Sequence, residues 1–230
     1  MKRVAMALAA ALAFAAPASA EDRSCAGPDL TGLQPVEAGR IRVSAGRVNL
    51  IKDGTKAAQC PDASPACREK GYLVPGDLVV LGRKLNDFVC ADYPGAKIVR
   101  SGWLPAEAIA PAAFEASPDA FAGKWRRVEA DIEISLKNGT LHAVGQATFG
   151  ALDPGRVKRG AVNVGDFEGT LAINDGVAIF PSETAGPKDP DPYSCRVRLT
   201  RAGDILIVQD NNQCGGANVS FTGYYFRAGK

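Results

Sequence analysis

One histidine, six cysteines and a few short carboxylate pairs are the residues of this chain whose types could do chemistry. His142 lies in Thr140-Leu141-His142-Ala143-Val144, where alternation places it with Thr140, Val144, Gln146 and Thr148, opposite the apolar face. A general base needs a partner within hydrogen-bond reach, and Asp131, Glu133 and Ser135 are possible neighbours across the preceding turn. In that role His142 would serve a hydrolase. As an ordinary strand residue it is a polar side chain turned outward. No Gly-x-Ser-x-Gly elbow supplies a nucleophile. Asp131 with Glu133, and Asp166 with Glu168, each share a strand face and could act as the paired carboxylates of a glycosidase. Such pairs on polar faces are ordinary, and the sequence predicts no catalytic residue.

The cysteines, Cys25, Cys60, Cys67, Cys90, Cys195 and Cys214, are even in number and follow an export-type leader, which reads as three disulfides. There is no CxxC pair and one His, so a zinc site is not expected. Proximity in sequence pairs Cys60 with Cys67 and Cys195 with Cys214, leaving Cys25 for Cys90. Asp189-Pro190-Asp191 and Asp210-Asn211-Asn212 offer oxygen atoms to calcium but lack the D-x-D-x-D-G spacing. The latter reads better as a turn. No metal and no cofactor is expected.

The leader itself is residues 1–20: Lys2 and Arg3, an apolar run from Val4 to Ala16, and Ala18-Ser19-Ala20 as a small-residue cleavage site. The run is shorter than the roughly 20 apolar residues a membrane span needs, and Cys25 is not placed for lipid attachment. A periplasmic or secreted protein free of a stable membrane anchor is therefore expected. Without Lys2 and Arg3 the 27 basic residues fall to 25, equal to the 25 acidic ones. A balanced chain whose one basic cluster is Arg156-Val157-Lys158-Arg159 carries no nucleic-acid footprint.

These residues need elements to position them, and the pattern is of strands. In the first half, Ile41–Val43, Val48–Leu50, Leu78–Leu81, Phe88–Cys90 and Trp103-Leu104 are short and separated by Gly, Pro and Asp. Ala57–Lys70 reads as a polar loop pinched by Cys60 and Cys67. Proline and alanine crowd residues 105–123, with Ser117-Pro118-Asp119 predicted to open a turn of helix. The second half alternates more cleanly. Asn138-Gly139 between Ile132–Leu136 and Leu141–Phe149 is a two-residue hairpin signal, because both positions tolerate φ > 0. Further hairpins are predicted at Asn174-Asp175-Gly176 and at Arg201–Asp204; the latter, centred at 202–203, sets Cys195 opposite Asp210. Val219–Phe226 closes the chain. Seven or eight antiparallel strands in this half suit a sandwich or an up-and-down barrel. The loop Pro181–Pro192 should be exposed.

The order Val48-Asn49-Leu50, Tyr72-Leu73-Val74-Pro75-Gly76-Asp77-Leu78-Val79-Val80, Phe88-Val89 and Gly102-Trp103-Leu104-Pro105 resembles the bacterial SH3 family of extracytoplasmic modules over residues 40–110. The resemblance implies a small barrel recognising cell-wall peptide or a protein partner, with Tyr72, Tyr93 and Trp103 as groove residues beside Phe88; the other reading makes Phe88 and Trp103 core and the tyrosines partly exposed packing. Gly123-Lys124-Trp125 and Arg227 resemble the closure of calycin (lipocalin- and avidin-like) barrels, in which an indole packs under a basic residue. Phe149, Phe167, Phe221 and Tyr225 would fill so small a barrel, or line a cavity in a wider one. The stretch Val208–Gly223 also resembles the C-terminal ends of uncharacterised exported bacterial proteins.

The expected fold is thus all-β. A signal occupies 1–20, an N-terminal extension 21–39, an SH3-like domain 40–110, a Pro/Ala-rich linker 111–123 and a calycin-like barrel 124–230. The expected function is non-enzymatic binding of cell-wall peptide or a protein partner. Alternatives are inhibition of a secreted lysozyme or protease, with the Pro181–Pro192 or Cys60–Cys67 loop as the wedge, and hydrolysis using His142.

Overall fold

The computed structural model describes residues 22–95, 98–182 and 191–229. The expected signal at 1–20 and most of the Pro181–Pro192 loop, Asp189 and Pro190 included, lie outside the described residues. The chain is all-β. Its N-terminal half supplies β1 (Glu37–Ile41), β2 (Val48–Ile51), β3 (Arg68–Leu73), β4 (Leu78–Leu85), β5 (Phe88–Pro94), β6 (Val99–Pro105) and β7 (Ile109–Pro111). These form one antiparallel sheet in the order β3-β2-β6-β5-β4-β1-β7. The strand expected over Ile41–Val43 lies earlier: β1 ends at Ile41, and Val43–Ala45 is a 3-10 turn stopped by Gly46, whose φ of 61° suits glycine.

One face of this sheet buries Ile41, Leu50, Leu73, Val79, Val89 and Leu104. The other is covered in two places. Trp103 packs there with the Cys25–Cys90 and Cys60–Cys67 disulfides, and Ala38 and Val80 pack against the C-terminal half. Double coverage explains why Val79-Val80 and Val89-Cys90-Ala91 run apolar without alternating.

Residues Pro118–Phe121 form the expected single turn, α1, with proline at its start; Ser117 precedes it without a side-chain cap bond. The second half is β8 (Gly123–Arg127), β9 (Ala130–Lys137), β10 (Thr140–Phe149), a turn of helix α2 (Pro154–Lys158), β11 (Asn163–Asn174), β12 (Val177–Phe180), β13 (Val197–Ala202), β14 (Ile205–Asp210) and β15 (Gly223–Arg227). Each strand pairs with its sequence neighbours and β15 returns to β8, closing an eight-stranded antiparallel barrel. Asn138 and Gly139 take φ of 51° and 79°, and Lys137 pairs with Thr140 across them, as that dipeptide predicts. The β13–β14 hairpin corrects the expected register. Ala202 pairs with Ile205 around Gly203-Asp204, so Asp210 faces Val197 and not Cys195.

The halves are docked. β14 is buried along its whole length. Leu206 and Val208 face the barrel core, while Ile205 and Ile207 pack with Ala38, Val80 and Tyr224. Gln209 donates from Nε2 to Gln34 O at 2.9 Å, tying the N-terminal segment to β14. At the centre of the junction Asp92 on β5 accepts from Tyr224 Oη of the barrel (2.8 Å) and from Ser101 Oγ of its own sheet (2.6 Å).

Candidate functional site

The barrel interior is the first place to look for a ligand, and side chains occupy it. Phe167 stacks within 4.9 Å of both Phe180 and Phe221. Leu141, Leu171, Leu199 and Tyr225 fill the layers around them. Gly145 is required by this packing, since a Cβ there would run into the Phe167 ring. One end is closed by the linker. Phe121 is fully buried, Trp125 Nε1 donates to its carbonyl at 2.8 Å, and Arg227 lies 4.5 Å over the Trp125 ring. That is the expected Trp125–Arg227 contact. The structure adds Arg201, 5.5 Å from the same indole, which donates with Arg227 to Ala120 O. Burial, with Arg201 nearby, lowers the Arg227 pKa, but a guanidinium stays charged. At the other end Arg127 donates to Tyr225 Oη and Ser220 O. Burial pushes the Tyr225 phenol upward and keeps it a neutral donor.

The stretch before β15 is held by Asp210, fully buried, which accepts from Ser220 Oγ (2.9 Å), Phe221 N (2.9 Å) and Thr222 Oγ1 (2.7 Å). Asn211 bonds Arg196 N and Ser194 O on either side of Cys195, and Cys195–Cys214 completes the brace. Asp210-Asn211-Asn212 is therefore a structural corner. Among the described residues no group of three or more His, Cys, Asp or Glu is placed to hold a metal ion.

His142 sits half-exposed on the barrel wall. Ser135 is its cross-strand partner and Glu168 Oε1 lies 3.9 Å from Nε2. Of the carboxylates weighed for glycoside chemistry, Asp131 pairs with Arg126 and Glu133 with Lys124, on exposed side chains.

The groove residues inferred for the N-terminal half do not come together. Trp103 is fully buried, lies 5.0 Å under Arg83 and donates from Nε1 to Arg23 O, so it is core and cannot touch a ligand. Its strand partner Ile51 and the covering disulfides account for that burial. Tyr93 lines a cleft of about 530 Å³ between the halves, with Arg40, Asp77, Arg201 and Asp204. Tyr72 remains exposed on the edge strand β3, where Arg47 stacks on its ring at 4.5 Å.

Arg47 leads to a recess that sequence reasoning missed. It measures about 490 Å³ and lies between β2, the start of β3, the turn Val43–Ala45 and the turn Ala106–Ala108. Val48 and Ile51 form an apolar floor; Arg47, Asn49, Arg68 and Glu107 supply polar groups. The volume is within the range of small-ligand sites, and the lining is more polar than apolar. One wall is fixed covalently: Ala63 belongs to the loop closed by Cys60–Cys67, and Arg68 follows Cys67 directly. Lys52 reinforces it, donating from N to Cys67 O (2.7 Å) and from Nζ to Ala66 O (2.8 Å). Asn49 Nδ2 donates to Glu69 O and Gly71 O, holding β3 to β2 where their register shifts. Asp53 anchors the loop from behind. Burial pushes its carboxyl up, but bonds from Thr55, Cys25 N and Lys56 N outweigh that and hold it below the usual carboxylate range. Arg68, directly after a short disulfide loop, was the available sequence signal. Compared with known protein families, curated proteins and solved structures, the chain matches none.

Proposed function

We propose that this chain is a non-catalytic binding protein of an oxidising compartment, periplasmic or secreted, whose recognition site is the recess beside the Cys60–Cys67 loop. Its ligand is a short peptide of the cell wall or of a protein partner. The observation that carries this reading is a preformed concavity with one covalently fixed wall, an apolar floor and polar side chains at its rim. Rigid walls reduce the ordering cost of binding. The filled barrel supports recognition on the outside of the molecule. The three disulfides support an oxidising compartment. The resemblance of residues 40–110 to SH3-like modules supports a peptide ligand, and the Trp125–Arg227 contact supports a calycin-like barrel serving as its platform.

The test is co-sedimentation with purified cell wall, together with pull-down from envelope extract, of the wild type and of Ala63→Trp, which fills the recess from an exposed loop position. Loss of either interaction in Ala63→Trp supports the site. Undiminished binding moves it elsewhere.

A second reading makes the same loop a wedge in the cleft of a secreted hydrolase. Its exposed, disulfide-closed backbone favours this. Lysozyme and protease assays with added protein separate the two: inhibition abolished by Ala63→Trp would make the chain an inhibitor.

A further inference from the structure

We infer that the recess reads a free carboxylate at the end of its peptide ligand, held by Arg47 and Arg68; this rests on the recess being the recognition site. Most arginines of the chain are already engaged. Arg23, Arg40, Arg42, Arg83, Arg126, Arg127, Arg156, Arg201 and Arg227 all donate hydrogen bonds to carbonyl, carboxylate or hydroxyl oxygens. The side chains of Arg47 and Arg68, like those of Arg100, Arg159 and Arg198, make no hydrogen bond or ion pair in the described structure; Arg47 and Arg68 are the two of these that line the recess.

The nearby acids do not offset them. Glu69, adjacent to Arg68, is bonded to Lys56 Nζ at 2.7 Å. Asp53 is turned to Thr55 and to backbone N–H groups, and Asp62 caps Ser64 N in the disulfide loop. Glu107 is the one acid in the lining, so two guanidiniums face one carboxylate.

The Tyr72 ring lies under Arg47, with the guanidinium carbon 4.5 Å from the ring centroid. A planar guanidinium fork suits a carboxylate, which it can bind through two parallel hydrogen bonds. The floor of Val48 and Ile51 suits a small apolar side chain next to that carboxylate, and Glu107 can accept from the ligand's N–H groups. A cell-wall stem peptide and a protein C-terminus share this chemistry and differ in chirality.

The test is calorimetric titration of the whole processed chain with the tripeptides acetyl-lysyl-alanyl-alanine. Four forms are used: L- or D-alanines, each as free acid and as C-terminal amide. The inference expects one free acid to bind and its amide to bind at least tenfold more weakly. Arg47→Ala and Arg68→Ala should each weaken the acid at least tenfold, with unchanged circular dichroism. Arg47→Lys, which keeps charge without the fork, should fall between. Preference for the D form identifies wall peptide, and for the L form a protein tail. Acid and amide binding equally, with both lost in Ala63→Trp, overturns carboxylate reading and leaves the recess as the site. If no tripeptide binds while wall or partner binding survives Ala63→Trp, both readings fall. If no tripeptide binds while Ala63→Trp abolishes wall or partner binding, the recess stands and the carboxylate inference falls.

Discussion

Asp92 shows how one side chain can be chosen for a junction and stay invisible in sequence. It is buried, it takes two hydroxyl donors, and among the described residues no cation faces it; Gly27, at φ 83°, backs directly on its carboxylate. Burial pushes its carboxyl above the usual range, and the bonds from Ser101 and Tyr224 only partly oppose that. A carboxyl with a raised folded-state pKa favours the fold most below its unfolded value of about 3.9, and that contribution is lost as pH rises through the folded value. Asp92→Asn should therefore gain stability relative to wild type between pH 4 and pH 7, measured by urea unfolding at several pH values. A difference that does not change with pH would refute the assignment. The subtraction matters because Asp53 and Asp62, with lowered pKa values, push the other way, losing stability as pH falls through their folded values. Trp125 and Arg227 were legible because a motif names them. Arg201, two strands away and on the same indole, had no motif to announce it. Trp103 stayed between groove and core for a physical reason: an aromatic on a short strand does not show which face a disulfide loop will cover.

At the scale of elements, hairpins were legible wherever the turn chemistry is specific. Asn138-Gly139 and Asp175-Gly176 stand at positive φ, and the strands beside them follow. Gly203-Asp204 shows the limit, because Ala202 and Ile205 could equally have been turn residues and the register moved with the choice. What fixes this region is Asp210 and the Cys195–Cys214 brace, both acting over a distance that local pattern does not encode. Asp210→Ala leaves the buried Phe221 N–H without its acceptor and frees Ser220 and Thr222. Leaving buried donors without their acceptor costs about 1–3 kcal/mol or more, so a loss of about 3 kcal/mol is expected in urea unfolding. Cys195→Ser with Cys214→Ser removes a cross-link closing 19 residues and should cost about 2–4 kcal/mol. If the double cysteine variant unfolds like wild type, Asp210 alone holds the corner.

For the whole molecule the question is whether two halves behave as one. The sequence divides at its Pro- and Ala-rich stretch, yet that stretch is no free tether: Phe121 plugs the barrel, Glu115 N bonds Arg201 O, and Phe114 packs at the junction. The run Ile205-Leu206-Ile207-Val208 carried the clue, since a strand apolar on both faces must be covered twice, but nothing local said that the cover was the other half of the chain. Ile205, Ile207, Ala38, Val80 and Tyr224 form a continuous apolar contact, and the buried Asp92–Tyr224 bond sits within reach of solvent only if the halves part. Unfolding of the wild type should therefore be a single cooperative transition, with calorimetric and van't Hoff enthalpies in agreement. Ile207→Asp places an unpaired charge in that contact without touching either interior core. It should separate melting into two transitions, the barrel and the sheet each held by its own disulfides. Two transitions already present in wild type would mean that the junction contributes little. In that case the recess beside Cys60–Cys67 would rest on the N-terminal sheet alone, and its ligand affinity would be unchanged in Ile207→Asp. A coupled molecule predicts that ligand raises the melting temperature of the whole wild-type chain, but of one transition only in the variant.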